Sequence, residues 1–378
     1  MQLITGQNEK KVGTHRGGYS SFSFEITPYL KRGENIITIC AEDDTRSRKQ
    51  PRGKQSNRYH SFGCEYTRTT GIWQTVWLEA LPDVYISSLR MIPDLQNGRL
   101  MIEGKINGSA KGGFVDISAG FHGKEMGMEK VSVSADNFYS AIVLKEIHPW
   151  SVDTPNLYDL DVTLHTKGGC TDKVRSYFGL RSLQLYNGAL HLNDRPIFQR
   201  LVLDQGFYPD GIYTAPSDEA LRRDIEISKA MGFNGARLHQ KLFEPRFLYW
   251  ADRLGYMAWG EHGCGILEYS DYSVLENFLP EWEEAVERDF NHPCIICWCP
   301  FNETSIHQNP EVLLTVYRIT KKLDPTRPVV DASGSVHVKT DIFDVHDYEQ
   351  DVNIFRKRYE EDLVLNGKVF LNCPQKEK

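Results

Sequence analysis

The feature that most constrains the fold is a regular alternation of strand-like and helix-like segments that begins near residue 190. Short apolar runs alternate with longer segments in which apolar residues recur at helical spacing. Strands that are separated by helices pair in parallel, because the helix carries the chain back to the start of the sheet. Seven strand-like segments follow this rhythm, at 196–203, 233–238, 256–260, 295–298, 328–332, 341–346 and 368–371. The pattern predicts a (β/α)8 TIM barrel that stops one strand short.

The helices of this part are marked by their ends as well as by their periodicity. The segment 217–232 opens with Ser217, whose side chain can cap a helix, and closes with Gly232, which can end one. Further helices are predicted at 245–255, 280–291, 310–324 and 351–365.

The chain before residue 184 instead alternates apolar and polar residues, as strands do. Residues 1–83 contain predicted strands at 19–26, 35–40 and 71–81, with a basic polar loop at 45–58. Residues 84–183 contain six strand-like segments separated by turn residues, a spacing typical of an immunoglobulin-like β-sandwich. The sequence therefore predicts three domains, at 1–83, 84–183 and 184–378.

Composition narrows the classes of function. Charged residues make up 25% of the chain and the net charge is −7, so there is no electrostatic reason to expect nucleic acid or an anionic membrane as a partner. No apolar run approaches the roughly 18 residues that span a bilayer, and no signal peptide is visible. The eight cysteines lack the paired spacing of a zinc site. We therefore expect a cytoplasmic protein with buried thiols, no metal and no cofactor.

Polar side chains follow the ends of five predicted strands. In (β/α)8 barrels the C-terminal ends of the strands meet at one mouth, where catalytic groups sit. We therefore expect one shared active site at this mouth. Its candidate residues, in strand order, are Asp204, Arg237, His239, Glu261, Asn302, Glu303, His346 and Tyr348.

Glu303 follows directly on an apolar strand, although glutamate is costly to bury unpaired. In a cleft lined by Trp298 and Phe301, desolvation would disfavour its charged form, so that Glu303 could stay protonated as a general acid. Glycoside hydrolysis pairs such an acid with a second carboxylate. Asn302 could donate a hydrogen bond to a sugar hydroxyl. The chain has neither a Gly-x-Ser-x-Gly elbow nor a phosphate-binding glycine-rich loop.

The segments that carry these residues resemble glycoside hydrolase family 2, which includes β-galactosidases, β-glucuronidases and β-mannosidases. "GIWQTVWLE" is similar to the family's sugar-binding-domain signature, and "FNGARLHQ", "DRLGYMAWGE", "FNHPCIICWCPFNE" and "DPTRPVVDASG" resemble successive barrel segments, with "FNE" the most specific. The resemblance implies a jelly-roll domain, an immunoglobulin-like sandwich and a TIM barrel, in that order. It also implies a retaining exo-β-glycosidase, a β-glycoside ligand, and relatives that are often homo-oligomers.

By the same resemblance, Glu303 is the acid/base and Asn302 its substrate-binding neighbour, with Arg237, His239, His346 and Tyr348 around them. The family's nucleophile is a glutamate at the end of strand seven, where this sequence has Cys373. Glu377, in a polar tail, is the only carboxylate after Asp362. We therefore expect no nucleophile and little or no hydrolysis. Both ends are expected to be truncated relative to the family, with a partial jelly roll and an incomplete barrel.

Two other functions remain open at this stage. A non-catalytic carbohydrate-binding protein could use the same polar groups to hold a sugar. An aldolase-type barrel enzyme would need a lysine at a strand end, for which Lys339 and Lys368 are the nearest candidates. The sugar is also open, because Arg237 could clamp a uronic acid carboxylate or belong to a general hydrogen-bond framework.

Overall fold

The computed structural model describes residues 2–7, 10–134 and 136–373, so Glu377 lies outside the described residues. The N-terminal part contains β1 (Gln2–Gln7), β2 (Lys10–Arg16) and β3 (Ile37–Glu42). They form an antiparallel sheet in the order β2-β1-β3. The jelly roll itself stays a prediction.

Two strands predicted in this part are wrong, because residues 19–26 and 71–81 form no strand. Their backbone groups find partners in the barrel instead of a sheet ladder. The Tyr19 amide donates to Glu281 Oε1 at 2.7 Å, and the Trp73 carbonyl accepts from Thr214 Oγ1 at 2.6 Å. Contacts between residues so far apart in the sequence cannot be read from local alternation.

The second part is a sandwich of two antiparallel sheets around one apolar core. The strands are β4 (Tyr85–Asp94), β5 (Arg99–Asn107), β6 (Phe114–Phe121), β7 (Lys124–Ser132), β8 (Asn137–Val143), β9 (Tyr158–Thr166) and β10 (Gly169–Phe178). One sheet has the order β4-β5-β8 and the other the order β10-β9-β6-β7. The sequence analysis missed β7, whose Lys and Glu residues interrupt the apolar alternation and which exposes most of its side chains.

Alternation explains why this core forms. In β6, Val115, Ile117, Ala119 and Phe121 are buried while the residues between them are partly exposed. Residues at every second position share one face of a strand, so each sheet presents an apolar face to the other.

A small antiparallel sheet, formed by β11 (Leu183–Tyr186), β12 (Ala189–Leu192) and β13 (Arg195–Pro196), leads into the barrel part. Its strands are β14 (Leu201–Asp204), β15 (Gly235–Leu238), β16 (Met257–Glu261), β17 (Ile295–Cys299), β18 (Phe301–Asn302) and β19 (Ala332–Ser333). The first four, β14 to β17, form a parallel sheet in chain order, and β18 pairs in parallel with β19. The helices between them are α1 (Asp218–Ala230), α2 (Pro245–Leu254), α3 (Leu275–Asp289) and α4 (Pro310–Leu323).

The caps act as predicted in α1. Ser217 Oγ accepts the amide of Ala220 at 3.2 Å, and the chain leaves the helix through Gly232 at a φ of +94°. Helices and sheet pack around an apolar core that includes Phe278, Trp282, Trp298 and Phe301.

The end of the barrel part departs from expectation. The strands predicted at 341–346 and 368–371 are wrong, because neither segment pairs as a strand. Side chains take the place of a ladder there: the Gly334 amide donates to Asp344 Oδ1 at 3.0 Å. The predicted helix 351–365 is α5 (Val352–Arg356) followed by a π-helix, Lys357–Leu365. Within the described part of the chain, no helix is long and apolar enough to cross a membrane.

Candidate active site

Most of the predicted site residues lie at or directly after the C-terminal ends of parallel strands. Arg237 lies near the end of β15, Glu261 closes β16, and Asn302 closes β18. Glu303 follows at once, and its amide donates to the Ser333 carbonyl of β19 at 2.9 Å. Because these strands run in parallel, the side chains that leave their ends converge at one mouth.

Arg237 forms hydrogen bonds to three other residues of the site. Its Nε donates to Glu261 Oε2 at 2.7 Å, its Nη2 to Asn302 Oδ1 at 2.5 Å, and its Nη1 to His346 Nε2 at 3.2 Å. Since a guanidinium only donates, Nε2 of His346 must accept and its proton must be on Nδ1. Since the Asn302 oxygen is occupied, its amide NH2 is the group that can donate to a ligand.

Glu261 is the buried counter-charge of this group. It is fully buried, and its Oε1 accepts the Gln240 amide at 3.0 Å. Burial by itself would raise the pKa of Glu261, but the charge of Arg237 and its hydrogen bond hold that pKa below its ordinary value. The same pairing raises the pKa of Arg237, although burial opposes it. Glu261 is therefore a fixed carboxylate that holds Arg237 in place.

Glu303 is held by two donors. His346 Nδ1 lies 2.6 Å from its Oε1, and the Tyr348 hydroxyl donates to the same oxygen at 2.8 Å. Among the described residues, no hydrogen bond to Oε2 is found, which makes Oε2 the oxygen available to a ligand. The backbone of Glu303 has a φ of +45°, a conformation that non-glycine residues rarely adopt and that is concentrated at functional sites.

The surroundings of Glu303 contradict its predicted protonation. The hydrogen bond from His346 comes first among the causes that lower its pKa to about 2, against a smaller opposing effect of burial, and Tyr348 adds to the lowering. Trp298 and Phe301 do not line the cleft; both are fully buried in the core. The Glu303 side chain is 45% exposed, so desolvation is too weak to keep its proton.

Three other predicted residues lie around this network. His239 Nδ1 is 3.3 Å from Glu261 Oε1 but lacks hydrogen-bond geometry to it. Asp204 ends β14, where its Oδ1 accepts the Gly206 amide at 2.9 Å, and none of the hydrogen bonds found in the Glu303 network involves it. Cys373 follows Asn372, whose side chain donates to the Gly334 carbonyl at 2.9 Å, so this segment does lie beside the mouth.

The sequence analysis missed the residues that support His346. Ser333 Oγ donates to Asp344 Oδ2 at 2.6 Å and lies 3.1 Å from His346 Nε2. A Cβ at Gly334 would collide with the His346 ring, so this position needs glycine. The signal was present in Ser333 and Gly334, directly after the predicted strand 328–332, but the sequence analysis considered only the polar residues that follow other strands.

One group of metal-ligating side chains occurs in the part of the chain that the structure describes: Asp252, His292 and Cys294, whose ligand atoms lie within 4.8 Å of one another. Hydrogen bonds between these three residues account for their close approach. His292 Nδ1 is 2.6 Å from Asp252 Oδ2, and the Cys294 amide donates to Asp252 Oδ1 at 2.9 Å. The arrangement joins α2 to the start of β17 and needs no ion.

Two protein-family models identify the class of protein to which this fold and site belong, the glycoside hydrolases. Residues 84–181 match the model of the glycosyl hydrolases family 2, and residues 214–368 match that of its TIM barrel domain. The chain belongs to glycosyl hydrolase family 2.

Individual relatives agree with this assignment. A putative β-glucuronidase of Formosa agariphila is 28% identical over 317 residues, covering 78% of this chain and 36% of the relative. β-Galactosidase 2 of Enterobacter cloacae is 31% identical over 356 residues, covering 86% and 33%. The chain thus spans about a third of the length of these curated relatives.

Solved structures share the fold. A β-glycosidase from Bacteroides vulgatus aligns with a TM-score of 0.76 at 24% identity, over 94% of this chain and 46% of that one. A β-glucuronidase from Ruminococcus gnavus, in complex with D-glucuronic acid, aligns with a TM-score of 0.74 at 18% identity, over 87% and 57%.

Proposed function

We propose that this chain binds the terminal sugar of a β-glycoside at the barrel mouth, with Glu303 as the acid/base of a retaining glycosidase lineage. We further propose that the 378-residue polypeptide by itself hydrolyses such glycosides little or not at all. The observation that carries the first part is the Arg237 network, which fixes Asn302, His346 and Glu303 side by side.

Binding a sugar would also raise the pKa of Glu303, which Glu303 requires to act as an acid. Its two hydrogen bonds stabilise the carboxylate, and the Tyr348 side chain that makes one of them is 72% exposed. A glycoside that displaces Tyr348 and excludes water raises the pKa of Glu303 toward the range of a proton donor. Oε2 is then the oxygen that faces the glycosidic bond.

The second part of the proposal follows from the chemistry of retention. Double displacement needs a second carboxyl group about 5 Å from the first to attack the anomeric carbon. The carboxylates that reach this network among the described residues are Glu261 and Asp344, and both are engaged by their own donors. Cys373 stands where the resemblance places the nucleophile, and a thiol needs a thiolate-stabilising site to attack.

Hydrolysis is tested with nitrophenyl β-galactoside, β-glucuronide and β-mannoside. We expect nitrophenol release at the background rate, equal in the wild-type chain and in Glu303→Gln. Release clearly above background that Glu303→Gln abolishes would refute the proposed inactivity.

Binding is tested separately by calorimetric titration with galactose and glucuronic acid. These two sugars are the choice because the relatives are named for galactosides and glucuronides. We expect heat with at least one of them, and its loss in Asn302→Ala. An absence of heat together with an unchanged melting temperature would contradict a sugar site.

A further inference from the structure

His346 faces two different partners at its ring nitrogen Nε2. This atom lies 3.2 Å from Arg237 Nη1 and 3.1 Å from Ser333 Oγ. The guanidinium can only donate a hydrogen bond, whereas a hydroxyl can donate or accept one. The role of Ser333 therefore depends on the direction in which its single hydroxyl proton points.

Asp344 determines the direction of the Ser333 hydroxyl. Its Oδ2 lies 2.6 Å from Ser333 Oγ, and its Oδ1 accepts the Gly334 amide at 3.0 Å. Burial opposes its charged form, but hydrogen bonds from His337 and Ser333 hold the pKa of Asp344 below its ordinary value. Because an ionised carboxylate only accepts, the hydroxyl proton of Ser333 points to Asp344. Ser333 Oγ then offers only its lone pairs to His346.

His337 keeps Asp344 ionised. Its Nε2 donates to the Asp344 carbonyl at 3.0 Å and lies 3.3 Å from Asp344 Oδ1. Its Nδ1 lies 2.6 Å from Asp331 Oδ1, while Asp331 Oδ2 accepts the amides of Val338 and Lys339 at 2.6 and 2.9 Å. Both ring nitrogens of His337 thus face acceptors, so the ring carries two protons and a positive charge. This charge stabilises the Asp344 carboxylate.

His346 therefore has two alternative arrangements. In the first, Nε2 accepts from Arg237 Nη1, and Nδ1 donates its proton to Glu303 Oε1 at 2.6 Å. In the second, Nε2 carries a proton that Ser333 Oγ accepts, while the other two hydrogen bonds of Arg237 stay in place. The Nδ1 proton can then pass to Oε1, which leaves His346 neutral and Glu303 as a carboxylic acid. One proton from solvent enters at Nε2 and one leaves at Nδ1, so protons and charge balance.

We infer that Ser333 and Asp344 are positioning residues that allow His346 to take up a proton at Nε2 and to pass its Nδ1 proton to Glu303. This inference rests on the proposed function, in which Glu303 has to become a proton donor. Once a sugar has displaced Tyr348, a half-turn of the carboxyl group brings the protonated oxygen to the glycosidic bond. The titratable side chains around His346 are Arg237 of β15, Glu303 after β18, Tyr348, and Asp344, which reaches it through Ser333 of β19.

The first test observes the protons of His346 directly. Nitrogen-15 chemical shifts of a labelled histidine ring distinguish a protonated from an unprotonated Nε2, and the signals of His346 are those lost in His346→Gln. In the wild-type chain at neutral pH without added sugar, we expect an unprotonated Nε2. With saturating methyl β-galactoside or methyl β-glucuronide at the same pH, we expect Nε2 to carry a proton.

Two variants test the positioning residues. Ser333→Ala removes the acceptor for a protonated Nε2. Asp344→Asn keeps the Ser333 hydroxyl but reverses it, because the amide oxygen is needed by the Gly334 amide and the amide NH2 then donates to Ser333 Oγ. We expect both variants to keep Nε2 unprotonated when a sugar binds. Ser228→Ala, which removes a buried hydroxyl from α1, is the control and should behave like the wild type.

The second test counts protons. Calorimetric titration in buffers of different ionisation enthalpy gives the protons taken up per bound sugar, and we expect about one in the wild type and close to none in Ser333→Ala and Asp344→Asn. If a sugar binds with measurable heat, yet Nε2 stays unprotonated in the wild type or gains a proton in the variants as well, the inference fails while the proposed function stands. If no sugar binds at all, the proposed function fails as well.

Discussion

The pairing of Arg237 with Glu261 gives the sharpest prediction about stability. Glu261 is fully buried, and the Arg237 side chain is 11% exposed. Removing one partner of a buried pair leaves an uncompensated charge and costs about 3–5 kcal/mol. Glu261→Gln should fall at the lower end of that range, because the amide oxygen can still accept one hydrogen bond. Glu261→Leu should fall at the upper end, because all of these bonds are lost.

The measurement is urea unfolding followed by tryptophan fluorescence, since Trp282 and Trp298 lie in the barrel core. The double variant Arg237→Met/Glu261→Leu should lose less stability than Glu261→Leu, because it buries no unpaired charge. Arg222→Ala is the matched control, because it breaks an exposed pair with Glu226 and should cost about 0.5 kcal/mol or less. A loss below about 1 kcal/mol in Glu261→Leu would show that the pair behaves as if it were exposed to solvent.

Three further predictions follow from the packing, caps and charges. Phe301→Ala should lower the free energy of unfolding in urea by about 3–5 kcal/mol, because Phe301 is fully buried. Phe198→Ala, which removes an exposed ring, should change it by about 0.5 kcal/mol or less. Equal losses would contradict the placement of Phe301 in the core. Ser217→Ala should cost about 1 kcal/mol through the lost cap of α1 and Ser217→Asp should restore it, which thermal unfolding can check. Burial opposes charge on His337, but hydrogen bonds to Asp331 and Asp344 raise its pKa to about 10, above its ordinary value of 6.5. Its stabilising contribution should therefore be complete below pH 6.5 and disappear as pH rises through 10, and His337→Gln should flatten this part of the stability profile; an unchanged profile would contradict the pairing.

Hydrophobic periodicity predicted the helices of the barrel part, and the residues at strand ends predicted most of its site. The predicted helices correspond to α1, α2, α3, α4 and α5 with its π-helical extension, because their apolar faces and caps are local properties of the sequence. Reading the residues at strand ends brought Arg237, Glu261, Asn302 and Glu303 together, because the ends of parallel strands converge. His346 follows no strand, and hydrogen bonds to Arg237 and Glu303 hold it beside them.

Interactions between segments that are distant in the chain could not be predicted from the sequence. The desolvation prediction for Glu303 used its sequence neighbours Trp298 and Phe301, but these side chains point into the core and the pKa is set by His346 and Tyr348. The strand predicted at 19–26 fails for the same kind of reason, because Glu281 of α3 binds its backbone. The Gly53 amide likewise donates to the Gly263 carbonyl at 2.7 Å, and no local pattern encodes a contact between residues so far apart in the sequence.

The central claim of the proposed function is that this polypeptide holds a sugar beside a proton donor, while none of its described residues is placed to form a covalent glycosyl intermediate. The direct measurement is incubation with an activated 2-deoxy-2-fluoro β-glycoside, followed by intact and peptide mass spectrometry. We predict an unmodified mass under conditions in which the parent sugar gives binding heat. A covalent sugar adduct that maps to any side chain, Cys373 included, would contradict the claim.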